Sequence, residues 1–168
     1  MRIYCLFCET GRCDSAVRFA ETRYHCRAIS PKQVQHTWVK GKMTDLVHDL
    51  LPGYVFLYFE GEAPSASEFR EMTGFIRCLS DTDGRLELTG EDEAFALSLL
   101  EKNGIIGKTE VYQEGDRIRI REGVFEGLST SILKVDRRCK RMLIEIPLIR
   151  QPVRTWVEYE IVEREKTE

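Results

Sequence analysis

Cys5-Leu-Phe-Cys8 is the first spacing in this chain that chemistry could use. Two cysteines so placed hold zinc, or cycle between thiol and disulfide, when further ligands complete the set. No second such pair follows. The other cysteines (Cys13, Cys26, Cys78, Cys139) and the histidines (His25, His36, His48) are scattered. The flanking residues alternate like a strand, and strand residues three apart point to opposite faces. Cys5 and Cys8 are therefore predicted to be small buried hydrophobes, with no metal and no disulfide. No Ser/His/Asp order, phosphate loop or framed acid pair appears either. The sequence predicts no enzyme, no catalytic residue and no cofactor.

The second candidate is Arg117-Ile-Arg-Ile-Arg121. The strand rise of about 3.3 Å per residue puts its same-face arginines about 6.6 Å apart, close to the spacing of successive phosphates. Arg137, Arg138, Lys140 and Arg141 add a second cluster at an expected hairpin. The net charge of −3 hides this local excess. Residues 1–111 carry 13 basic and 17 acidic side chains, whereas residues 115–157 carry 10 and 5. A nucleic-acid contact would be confined to the C-terminal part and would depend on salt. The alternative is a solvated strand face.

The third candidate is Leu50-Leu-Pro-Gly-Tyr-Val-Phe-Leu-Tyr-Phe59. Tyr54, Phe56 and Tyr58 fall on one parity, and Val55, Leu57 and Phe59 on the other, so both faces of this strand are apolar. Either both are internal core, or one is left for a partner.

These stretches sit in a legible frame. With 42% apolar and 32% charged residues, the 168-residue chain is neither disordered nor fibrous. No apolar run reaches the roughly 18 residues of a membrane helix. The first residues lack the pattern of a signal peptide, so a cytoplasmic, monomeric protein is expected. A strand at 3–8 precedes a helix from about Cys13 to Tyr24. A short strand at Cys26–Ser30 follows, then a hairpin with Lys40-Gly41-Lys42 at its tip. Ser65 and Glu68 form a capping box for a helix ended by Gly74, and Thr89 and Asp92 form one for a helix ended by Asn103-Gly104. Asp83-Gly84 marks a hairpin between 75–80 and 85–88. Residues 103–113 read as a linker, and the short alternating runs beyond it as a small barrel. The fold class is α+β, with flanking helices on an antiparallel sheet over 1–103, then a linker over 104–113 and an all-β barrel over 114–168.

The stretch from "YCLFCETGRCDSAVRFA" through "LLPGYVFLYF" to "TGFIRCL" resembles the N-terminal domain of the NusG family of transcription factors. "EGDRIRIREGVFEGLSTSILKVDRRCKRMLIEI" resembles its KOW module. The resemblance spans about residues 3–165. Ile3-Tyr4 stands where the family commonly has Trp-Tyr, and Thr130 where a second glycine is usual. These departures resemble specialised paralogues of the RfaH and LoaP types.

The resemblance implies a processivity or antitermination factor. Leu51, Tyr54 and Phe56, walled by Leu97 and Leu100, would dock on the clamp helices of RNA polymerase. Ser65, Ser67 and Glu68 would touch its gate loop, or serve only as a helix cap. Arg12, Arg18, Arg23, Lys40 and Lys42 would face DNA of the transcription bubble. Arg117, Arg119, Arg121, Arg137, Arg138, Lys140 and Arg141 would bind a leader RNA hairpin. The alternative is a transcription–translation coupling factor, its KOW domain gripping a ribosomal protein through Leu148 and Ile149, or Rho.

Overall fold

The computed structural model describes residues 1–121, 123–126 and 129–162. The end of the expected 114–168 barrel, and Glu122, Gly127 and Leu128 within the KOW-like stretch, lie outside the described residues. The first half is built on a four-stranded antiparallel sheet of β1 (Arg2–Cys8), β2 (Arg27–Ile29), β5 (Tyr54–Phe59) and β6 (Phe75–Cys78), in the order β2-β5-β1-β6. Helix α1 (Cys13–Arg23) links β1 to β2, and α2 (Ala66–Phe69) links β5 to β6. Helix α3 (Gly90–Glu101) follows. A hairpin of β3 (Lys32–Val39) and β4 (Lys42–Asp49) projects from this body. Its two-residue turn has positive φ at Lys40 and Gly41, the form that matches strand twist.

The stretch expected to be a linker carries strands. β7 (Ile105–Ile106) pairs in parallel with β3, and β8 (Thr109–Glu114) is already part of the second half. Thr109 and Val111 are buried while their neighbours are not, an alternation partly concealed by the intervening glutamates. β8 joins β9 (Arg117–Ile120), β10 (Ser131–Asp136), β11 (Arg141–Leu148) and β12 (Gln151–Ile161) in the order β10-β11-β12-β8-β9. The chain is thus α+β and then all-β, the class its sequence predicts.

Two local expectations are corrected. The helix with the Ser65/Glu68 capping box is only four residues long, because the chain turns at Arg70–Gly74 to enter β6. Residues 85–88 form no strand. Asp81 instead accepts the Asp83 and Arg85 N–H groups, leaving a single bridge between Tyr4 and Glu87. Among the described residues, no helix is long and apolar enough to cross a membrane.

Gly53 is the backbone position on which β5 depends. Its φ is +91°, and a Cβ there would come within 2.6 Å of the Phe7 ring and 3.0 Å of the Cys8 carbonyl. That carbonyl lies close because the Cys8 N–H donates to the Gly53 carbonyl at 2.7 Å. Gly53→Ala combines a left-handed backbone penalty of about 1–2 kcal/mol with a clash. It is expected to lower the melting temperature by several degrees in calorimetry. An unchanged transition would contradict this close approach.

Candidate functional site

Both faces of β5 are covered, by different parts of the chain. Val55, Leu57 and Phe59 pack with Leu6, Cys8, Ala16, Ala20, Phe69 and Met72 beneath α1 and α2. Phe56 and Tyr58 face the other way, with Ile3, Cys5 and Ile29. Cys5 and Cys8 therefore lie in separate cores, as the strand geometry requires. On this second face the Phe56 ring meets Phe95 of α3 at 6.0 Å, and the Tyr58 hydroxyl donates to the Ala96 carbonyl at 2.7 Å.

The cover then continues into the second half. Phe125 stacks on the far side of Phe95 at 6.2 Å, and one buried cluster runs through Leu50, Leu51 and Leu99 into Met142, Ile144 and Leu148. This explains why α3 is apolar on more than one side. Of the five expected docking residues, Phe56 is 0% and Leu51 1% exposed in this arrangement. Tyr54 and Leu100 are partly buried at the edge of the cluster, and Leu97 is 37% exposed. Tyr54 packs edge-on against Phe7 at 5.2 Å, and the Arg77 guanidinium lies over Phe7. Leu148 and Ile149, the expected grip for a ribosomal protein, are buried in the same cluster.

Polar contacts frame this junction. The buried Thr155 hydroxyl donates to the Leu50 carbonyl at 2.8 Å, and the Gln33 amide to the Trp156 carbonyl at 2.9 Å. Arg77 donates to Gln151 at 3.0 Å, and Arg150 to the Thr82 hydroxyl at 3.2 Å. Asp92 corrects the expected capping box with Thr89. Its carboxylate accepts the N–H of Ile149 at 2.9 Å, and Thr89 makes no side-chain cap bond. Burial raises the Asp92 pKa, partly offset by that N–H, while Glu91 pushes it further up. Sequence reasoning misassigned Asp92 and missed Thr155 and the Ile149–Arg150 turn. None of them carried a local signal, and Ile149-Arg150 lacks the residue types that its left-handed turn favours.

The Ser65 box forms in full. The Ser65 N–H and hydroxyl donate to Glu68 at 2.7 and 2.9 Å and hold its carboxyl below its ordinary pKa, and the Ser65 and Ser67 hydroxyls are 2.9 Å apart.

The arginine row meets an opposing row of acids. Register sets Arg117 and Arg119 of β9 against Glu114 and Tyr112 of β8, and just past β9 the Arg121 N–H donates to the Glu110 carbonyl at 2.9 Å. Arg119 pairs with Glu114 at 3.2 Å and Arg121 with Glu110 at 3.6 Å. The second cluster is less neutralised. Arg141 pairs with Asp136 at 3.7 Å and lies over Trp156, and Lys140 lies over Tyr159. Arg137 donates to the Asp116 carbonyl, and among the described residues no ion pair engages the Arg138 guanidinium. Among the bubble candidates, Arg12 pairs with Glu9 and Arg23 with Glu71, while Arg18 bonds Ser15. Among the described residues, no ion pair engages Lys40 or Lys42 at the hairpin tip, beside a Trp38 that is 69% exposed. No group of three or more His, Cys, Asp or Glu among the described residues could hold a metal ion.

No protein-family model matches the chain. Among solved structures, the chain is similar to NusG of Thermotoga maritima, in a structure described as showing domain interaction in that protein. Identity is 13% and the TM-score 0.54, over 94% of this chain and 93% of that one. The chain therefore has a NusG-like fold over nearly its whole length.

The thiols provide a direct check on the two cores. Burial pushes Cys8 and Cys78 up to about 12, Cys26 up to about 11, and Cys5 well above its ordinary value. On the order of one Cys8 in ten thousand is then a thiolate at pH 8. Cys139 alone among the six is exposed. Iodoacetamide at pH 8 is expected to label one thiol quickly in the native protein, and Cys139→Ser should remove that phase. Fast labelling of Cys5 or Cys8 would contradict the two-core packing.

Proposed function

We propose that this protein is a transcription elongation factor that docks on RNA polymerase through the β5–α3 face of its first half, as a specialised antitermination paralogue of the NusG type. The observation that carries the reading is the second apolar face of β5. Its cover is shared between one helix and a separate β-sheet half, and water could replace the polar contacts that frame their apolar junction. A hydrogen bond of this kind contributes about 0.5–1.5 kcal/mol net, because its partners bond water when parted. Parting the halves would also expose the apolar side chains of Phe125, Met142, Ile144 and Leu148, so a partner must offer comparable apolar surface, and what it would meet is an aromatic surface of the sort that anchors protein partners. The NusG-like fold over nearly the whole chain supports the same reading. No catalytic reaction is assigned. The β3–β4 tip, with Lys40, Lys42 and Trp38, is proposed to face bubble DNA. Ser65, Ser67 and Glu68 are proposed to meet the gate loop.

RNA is proposed to bind the second half. The pairing of Arg119 and Arg121 with glutamates favours the Arg137–Arg141 cluster as its main contact.

Two measurements test these assignments. Tyr54→Ala in the full chain is expected to weaken polymerase binding about thirtyfold, a loss of about 2 kcal/mol, while the melting temperature holds. Unchanged binding by a folded variant would remove Tyr54 from the interface. A structured leader RNA should be titrated at several salt concentrations. Replacing Arg137, Arg138 and Lys140 with glutamine is expected to lower the log–log salt slope by about 0.7–0.9 per lost phosphate contact. Glutamine at Arg117, Arg119 and Arg121 should lower it less. A larger loss from the strand row would reverse the assignment.

A further inference from the structure

Cys139 differs from the other five cysteines in exposure and in setting. Cys5, Cys8 and Cys13 are buried and Cys26 and Cys78 half-buried, whereas Cys139 is exposed at the turn between β10 and β11. Asp136 accepts the Cys139 N–H at 3.0 Å and so fixes the backbone that carries the thiol. The thiol stands on the wall of a cavity of about 440 Å³, formed where the β3–β4 hairpin, Lys108 ahead of β8, the entry to β11 and the end of β12 meet. Sites for small molecules run from about 300 to 1,000 Å³.

A second, independent feature marks the same cavity. Tyr159 lines it and is only 1% exposed, yet among the described residues no group bonds its hydroxyl. Glu158, also on the lining, has one buried carboxylate oxygen without a partner. The only other such side-chain atom among the described residues is Nε of Arg141, which faces Glu158 in the strand register. Buried polar atoms are nearly always hydrogen-bonded, so two unpartnered ones beside one cavity point to a group that bonds there. The charges around the cavity are of both signs. Lys108 and Lys140 bring ammonium groups, that of Lys140 lying 6.0 Å from the centre of the Tyr159 ring, and Glu158 and Glu160 bring carboxylates. A simple anion or a simple cation would match only half of this set. A zwitterion with amino and carboxylate ends matches both.

We propose that Cys139 forms a mixed disulfide with a small zwitterionic disulfide of the amino-acid type, one half of which sits in this cavity. The Cys139 thiol loses its proton, and its sulfur attacks the near sulfur of the bound disulfide. A new S–S bond joins Cys139 to the seated half. The old S–S bond breaks, and its electron pair leaves with the other half as a thiolate, which takes up a proton. Cys139 is thereby oxidised and the departing half reduced, with no further oxidant. The Tyr159 hydroxyl donates to a carboxylate or amide oxygen of the seated half. Lys108 and Lys140 attract its carboxylate, and Glu158 and Glu160 its ammonium group. This chemistry does not depend on the function proposed above.

The test incubates the full chain separately with oxidised glutathione, with cystine and with bis(2-hydroxyethyl) disulfide as a neutral probe. Adducts are followed by intact mass and peptide mapping. A single adduct is expected with a zwitterionic disulfide, on Cys139, reversed by excess reductant and absent from Cys139→Ser. Tyr159→Phe keeps the ring and its packing. It is expected to slow the zwitterionic disulfides about fivefold, the loss of one hydrogen bond, while the neutral disulfide and iodoacetamide react as before. Lys108→Gln should slow the same zwitterionic probes selectively, and it decides alone if Tyr159→Phe does not fold. Reaction with cystine alone or with oxidised glutathione alone supports the site and sets the size of its occupant. Equal slowing of every probe, or no slowing of any, would make Cys139 an exposed thiol only and overturn the proposal.

Discussion

A six-residue strand with no polar face needs cover on both sides, and much of this structure follows from that need. Tyr54–Phe59 presents three side chains each way, and water is a poor solvent for either set. The short helices α1 and α2 cover one side. The other receives α3, which lies between β5 and the second half and so must itself be apolar on two sides. Phe56, Phe95 and Phe125 form a chain of rings through that layer, from strand to helix to barrel. Each ring pair adds about 0.5–1.5 kcal/mol beyond burial. The contact between the halves is in this sense a consequence of β5.

The same layer has a mixed character. Its centre is aliphatic and aromatic, while its edge is a ring of hydrogen bonds from Gln33, Arg77, Asp92 and Thr155. The centre gives affinity and the edge gives register. Intrachain interfaces of this type resemble transient protein–protein contacts more than a single core. A surface so built can serve a second occupant, provided that occupant matches its aromatic centre.

Charge is arranged on the scale of single strand pairs rather than of whole halves. Glu110 and Glu114 fall outside the basic segment when it is counted from residue 115. Because β8 is antiparallel to β9, Glu114 nevertheless lies across from Arg117, and Glu110 meets Arg121 through a backbone hydrogen bond and an ion pair. Two of the three arginines in the row, Arg119 and Arg121, are thereby ion-paired. The cluster around Arg138 lies at a turn and keeps more of its field.

Composition and spacing were enough to read α1, α3, the β3–β4 hairpin, the two-sided strand and the all-β second half. Each depends on residues within a few positions of one another, through alternation, helical recurrence or a turn that needs glycine. The opposite orientations of Cys5 and Cys8 were legible for the same reason. The shortness of α2, the strand nature of residues 109–114 and the burial of Leu51 and Phe56 beneath another part of the chain were not. Most telling is Asp92, whose neighbours spell a helix cap and whose carboxylate instead binds a backbone N–H 57 residues away. The sequence by itself determined which segments form elements and which of their faces are apolar. Only the tertiary structure decided what covers those faces, because local preferences worth about 1 kcal/mol yield to packing and desolvation once distant segments meet.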